Sequence, residues 1–153
     1  MDEGIEQAAE ILRGRRAAVL TGAGISTDSG IPAYRGAGAR PRPNPMTIQK
    51  YLSDEGARRR YWLGGHLGWR AFTAPDPNHG HIALADLERA GVVTGVVTQN
   101  VDGLHLRAGS TRVVEIHGTM HRVLCLDCGQ VFDRRAVAEQ LEQLNPWVTR
   151  PER

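Results

Sequence analysis

The sequence predicts an α/β chain built on a short parallel sheet, and three observations carry that prediction. An amphipathic helical pattern is followed by an apolar run twice over, at residues 4–20 and again at 81–98, where the run is β-branched. Helix followed by buried strand, repeated, implies parallel pairing. A third strand candidate, Arg112 to Ile116, runs straight into His117-Gly118. Each strand candidate ends in glycine or polar residues, and ligands of open α/β sheets bind at the carboxyl ends of strands.

Residues 4–14 set Ile5, Ala8, Ala9 and Leu12 on one helical face that ends at Gly14 and would pack on the strand at 17–20. Ala17 to Leu20 reads as that buried strand, and it breaks at Thr21 into Gly22-Ala23-Gly24. Two close glycines after a strand open a nucleotide-binding turn, in which free backbone N–H groups face a pyrophosphate. The third glycine of the usual fingerprint would fall at position 27, which is Thr27, so this is not the standard dehydrogenase loop. Gly30-Ile31-Pro32 stops any long helix. The loop is therefore expected to carry on across a ligand and to deliver Tyr34 and Arg35, whose planar, permanently charged fork suits phosphate.

Residues 36–45, rich in Gly, Pro and Arg, read as loop, and 47–63 as helix, broken by Gly64-Gly65. Tyr51, Tyr61, Trp62, Trp69 and Phe72 are most of the aromatic residues and predict the core of a small helical insertion. Asn78 is placed to cap a helix over 81–90 with Ala83, Leu87 and Ala90 on one face. The run 92–98 is typical of a strand buried on both faces. It ends in Gln99-Asn100-Val101-Asp102-Gly103-Leu104-His105, a second polar ligand wall. His117, beside Gly118, is placed to shuttle a proton near neutral pH. His121 follows four residues later without the Glu of the H-E-x-x-H order, which argues against a histidine metal site.

Cys125-Leu126-Asp127-Cys128-Gly129 reads as a knuckle between two strands. A redox C-x-x-C normally opens a helix, so zinc is the better reading, although a structural zinc site takes four ligands and one pair is present. Residues 133–144 follow as a helix with Val137, Leu141 and Leu144 inward.

The net charge of +2 on 153 residues is not the profile of a dedicated nucleic-acid binder. Arg40-Pro41-Arg42 and Arg58-Arg59-Arg60 read as solvated faces. No apolar run reaches the ~20 residues of a membrane helix, and the acidic start lacks the order of a signal peptide. A cytoplasmic location is the expectation, which two cysteines kept as thiolates fit.

Gly-Ala-Gly-Ile-Ser leading to Ser-Gly-Ile-Pro and Tyr34-Arg35, then Thr-Gln-Asn-Val-Asp-Gly-Leu-His, then His117-Gly118, resemble in kind and order the signatures of the sirtuins, the NAD-dependent protein lysine deacylases. The resemblance implies a Rossmann-like sheet, here incomplete at about three strands, with a helical insertion and half of a zinc-ribbon module. It implies that Gly22, Ala23, Gly24, Ile25, Ser26, Pro32, Tyr34 and Arg35 bind NAD, and that Gln99, Asn100 and Asp102 shape the nicotinamide pocket. His117 would be the catalytic base, and Cys125 and Cys128 half of a structural zinc site. An acyl-lysine protein or peptide would be the substrate, with no nucleic acid or membrane partner. Tyr34 stands where the family commonly has phenylalanine, and Ala33 where aspartate is common. Residues 58–62 and 79–88 look similar to the class II branch.

The implied parts are 1–36 with 78–121 for NAD, 37–77 for the insertion and 122–153 for the partial zinc module. The resemblance covers about the first half of a sirtuin core, without the second cysteine pair, the peptide-pairing strand or the later Gly-Ser loops. Low stability and little turnover of this polypeptide alone are therefore expected. The rival readings are a non-catalytic fragment or NAD-binding partner, and protein ADP-ribosyl transfer. A dehydrogenase fits poorly without the third glycine.

Overall fold

The computed structural model describes residues 3–32 and 45–147. Tyr34, Arg35 and nearly all of the expected loop at 36–45 lie outside the described residues.

Strands β1 (Ala17–Thr21), β2 (Val93–Thr98) and β3 (Val113–Glu115) form a parallel sheet in the order β1-β2-β3, as the repeated helix-strand pattern predicts. The register sets Thr21 beside Thr98 and Thr98 beside Glu115, so the three strands end at one edge. β2 is central. β1 is an edge strand with alternate residues outward, and Leu20, in a run that taken alone reads as buried, is 68% exposed. A strand at a sheet edge with one face uncovered buries only every second side chain.

Helix α1 (Glu3–Leu12) forms where the periodicity puts it but buries none of its residues, so it does not make the expected packed layer on β1. An amphipathic pattern specifies a helix and an apolar face without specifying what covers that face.

Helices α2 (Ile48–Ser53) and α3 (Glu55–Thr73) follow, capped by the side chains of Thr47 and Asp54. The Lys50 ammonium and the Ala57 amide hold the Asp54 carboxyl down at about 2. The expected break at Gly64-Gly65 does not occur, and α3 runs through both glycines. Each glycine costs a helix about 1 kcal/mol, and tertiary packing outweighs this. Trp69 and His66 are buried, Trp62 Nε1 donates to the Tyr51 hydroxyl at 2.9 Å, and the Arg134 guanidinium lies over the Trp62 and Trp69 rings at 5.1 and 5.9 Å. A Cβ at Gly65 would lie 3.3 Å from Arg134 Nη2, so glycine makes room for that cation.

Helix α4 (His79–Arg89) is the crossover and packs on β2. The Asn78 side chain accepts from the amides of Gly80 and His81, and His81 Nδ1 accepts the Asn78 amide, a reciprocal capping box. Its buried residues are His81 and Ala85, whereas Ala83 and Ala90 of the expected face are exposed. The cap decides this, because it turns the His81 ring inward and sets the phase of the helix. At the far end Glu88 accepts from the amides of Thr111 and Arg112 and from the Thr111 hydroxyl, fastening α4 to the start of β3.

A short helix α5 (Leu104–Arg107) follows β2. The C-terminal part is an antiparallel hairpin, β4 (Arg122–Leu124) and β5 (Val131–Asp133), followed by α6 (Arg134–Leu144). The inward residue of α6 is Ala138, and Leu144, expected inside, is 77% exposed. α6 packs against β4 and β5.

Candidate functional site at the carboxyl ends of β1 and β2

After β1 the chain passes through extended Gly22 and winds into a 3-10 helix, Ala23–Ser29, closed by Gly30 at φ +86°. Ile31 N donates back to Ser26 O at 3.2 Å. Residues 23–29 of the expected loop form a tight turn, because repeated short-range bonds satisfy its backbone. Cβ atoms built on Gly22 and Gly24 would meet nothing within 4 Å, so the backbone there faces open space. Asn78 braces the turn from α4, its Nδ2 donating to Ile25 O at 2.7 Å and to Ser29 Oγ at 3.1 Å.

Ser26 is the inward residue of this turn, 1% exposed. Its hydroxyl donates to Asp102 Oδ2 at 2.8 Å and accepts from Asn100 Nδ2 at 3.0 Å. Asn100 Nδ2 also donates to Gly22 O at 3.1 Å, and Asp102 Oδ1 accepts the Leu104 amide at 3.0 Å. Ser26, Asn100 and Asp102 are all buried. Burying such groups is tolerated because they satisfy one another. An ionised carboxylate has about four acceptor positions, and two donors hold Asp102 here, which leaves it capacity to accept N–H from a ligand.

The turn expected to form a polar ligand wall divides in two. Gln99 is exposed, and its amide donates to Thr21 O at 3.0 Å. His105, expected in that wall, turns inward instead: it is 2% exposed, with Nε2 2.9 Å from Thr21 Oγ1 and its ring 4.9 Å from that of His81. Gly103, at φ +73°, reverses the chain and α5 carries the imidazole under the sheet edge. Burial, helped by the neighbouring His81, lowers the His105 pKa to about 4 against an opposing pull from Asp102. Burial also lowers that of His81. This histidine pair has a faint signal in the sequence, since His81 lies at the third position of a helix capped by Asn78.

His117 follows β3 at the same edge of the sheet, exposed, with Gly118 at φ +76° beside it. Pro32 is exposed, Ala23 and Ile25 are half-buried, and Tyr34 and Arg35 lie outside the described residues. Farther on, the knuckle takes its expected form: Cys125 N donates to Gln130 O, Gly129 N donates to Cys125 O, and Gly129 has φ +73°. The amides of Cys128 and Asp127 lower the Cys125 thiol pKa, as suits a thiolate. Both thiols are free, and among the described residues no group of three or more His, Cys, Asp or Glu side chains could hold a metal. Two thiols do not fit a complete four-ligand zinc site.

Residues 22–149 match the family model of the Sir2 family. The chain belongs to the Sir2 family. It is 59% identical over 136 residues to an NAD-dependent protein deacetylase 1 of Mycobacterium avium, covering 89% of this chain and 48% of that protein. It is 46% identical over 136 residues to the human mitochondrial NAD-dependent protein lipoamidase sirtuin-4, covering 86% of this chain and 43% of the relative. A solved Sir2 structure with a p53 peptide and NAD+ superposes with a TM-score of 0.75 at 36% identity, covering 90% of this chain and 55% of that one. The chain thus spans about half the length of the relatives it matches. No described helix is long and apolar enough to cross a membrane.

Proposed function

We propose that this Sir2-family chain provides the NAD-binding part of an NAD-dependent protein lysine deacylase. The observation that carries the reading is the buried Ser26–Asn100–Asp102 cluster beneath the open Gly22–Gly24 turn. A glycine-bared backbone suits phosphate and an oriented carboxylate and amide suit a carboxamide, so the residues present fit NAD. Residues 1–36 and 78–121 would be the dinucleotide-binding part, 37–77 a helical insertion and 122–153 a partial zinc module. Cys125 and Cys128 would supply half of a structural zinc site that has no part in the chemistry.

NAD, when bound, supplies an electrophilic ribose carbon with nicotinamide as its leaving group. Gly22, Ala23, Gly24, Ile25 and Ser26, with Pro32, Tyr34 and Arg35, would cradle the phosphates and ribose. Asn100 and Asp102, with Gln99, would orient the carboxamide. His117, exposed at the same sheet edge, would accept the proton of a sugar hydroxyl through a ring nitrogen. An acyl-lysine protein or peptide as substrate is supported by the deacetylase and lipoamidase relatives and by the peptide in the superposed structure. A lone C-x-x-C pair in this sequence suits a reducing compartment, and we place the protein in the cytoplasm.

The test is calorimetric titration of the chain with NAD, alongside nicotinamide release in the presence of an acetyl-lysine peptide. Saturable NAD binding that Asp102→Asn weakens is the expected result. A cooperatively folded chain that takes up no NAD would overturn the reading. In a chain extended to the length of its relatives, His117→Tyr should abolish deacylation and leave NAD binding in place.

A further inference from the structure

His121 holds a backbone group of the candidate site. Its Nε2 lies 3.1 Å from the backbone carbonyl oxygen of Asp102. A carbonyl only accepts, so this nitrogen carries the proton and donates. The ring rests against Gly103, where a built Cβ would come within 2.7 Å of His121 Nε2 and where φ is +73°. One residue earlier, Met120 N donates to Val101 O at 2.9 Å. On the other side His121 O accepts from Arg134 N at 2.9 Å, where α6 begins, and Arg122 opens the hairpin as the partner of Asp133.

Residues 120–121 therefore fasten the turn 101–103 to the cysteine hairpin and to α6. The consequence falls on Asp102. Its carboxylate is held by the Ser26 hydroxyl and the Leu104 amide, and its carbonyl by His121. A residue held at both ends has one orientation, whereas one held at its side chain alone can rotate its peptide and carry the carboxylate with it.

We propose that His121 is a positioning residue that acts through Asp102, holding its carboxylate in the orientation a ligand carboxamide needs. The proposal rests on the reading of Asp102 as a ligand-contacting residue. His121→Leu fills similar space without a donor, and His121→Gln restores an amide N–H at the reach of Nε2.

Two readouts on the 153-residue chain separate the positioning role from the ligand reading. The first is hydrogen exchange at the Leu104 amide, which reports whether Asp102 Oδ1 is still in place. His121→Leu should speed that exchange about tenfold, and His121→Gln should return it to near the wild-type rate. The second is the NAD dissociation constant. It should rise about three- to tenfold in His121→Leu, return in His121→Gln, and show no further rise when His121→Leu is added to Asp102→Asn. Unchanged Leu104 exchange in His121→Leu would overturn the positioning role, as would equal losses in the Leu and Gln variants or an undiminished effect in the Asp102→Asn background. If the wild-type chain binds no NAD, the ligand reading fails, and the exchange rates still decide whether His121 holds Asp102.

Discussion

The buried imidazole of His105 predicts a specific loss of stability in acid. In the fold its pKa is about 4, against an ordinary value of 6.5, mainly because burial disfavours the cation. The unfolded chain therefore takes up a proton as the pH falls below 6.5, while the folded chain does so only near 4. Stability is full above 6.5, declines through that window and levels off below it. One proton gives a slope of at most about 1.4 kcal/mol per pH unit, so the window from 6.5 to about 4 is worth about 3 kcal/mol. His81 is shifted in the same direction and adds to the loss.

The perturbation is His105→Gln, which keeps a side-chain amide to pair with the Thr21 hydroxyl and cannot titrate. The assay is urea unfolding followed by circular dichroism at a series of pH values in wild type and variant. The wild type should lose about 3 kcal/mol more than the variant between pH 7 and 4. Carboxylates such as Asp54 and Glu88 lose stability in acid too, but they are common to both proteins and cancel in the difference. An acid loss identical in the two proteins would refute the reasoning.

Ser26→Ala removes the hydroxyl that donates to Asp102 and accepts from Asn100, both buried, and should cost about 1–3 kcal/mol in urea unfolding while weakening NAD binding. Asn78→Ala removes the cap of α4 together with its bonds to Ile25 and Ser29, with an expected cost of about 2 kcal/mol by the same measurement. Gly95→Ala would set a Cβ 3.0 Å from the carbonyl oxygen of Arg112; a backbone atom yields little, so thermal unfolding should show a loss of about 1–3 kcal/mol.

Much of the fold was legible in the sequence because its causes are local. Asn78 as cap, the β-branched run of β2 and the strand–knuckle–strand pattern around Cys125 each depend on neighbours a few residues away. The glycine turn after β1, the polar turn after β2 and His117-Gly118 after β3 also stand in the order that marks the Sir2 family.

Tertiary structure decided which faces are covered and which polar groups meet. Leu20 and Leu144 read as core yet face out, and α3 continues through two glycines because Trp62, Trp69 and Arg134 stack around it. The turn after Thr98 read as a single ligand wall, but the fold sends Asn100 and Asp102 to Ser26 and His105 to Thr21, across 74 to 84 residues of chain. A helix or turn is stabilised by hydrogen bonds within its own span, so its residues announce it. Burial and long-range polar pairing depend on a surface supplied by another segment, and no spacing along the chain encodes that surface.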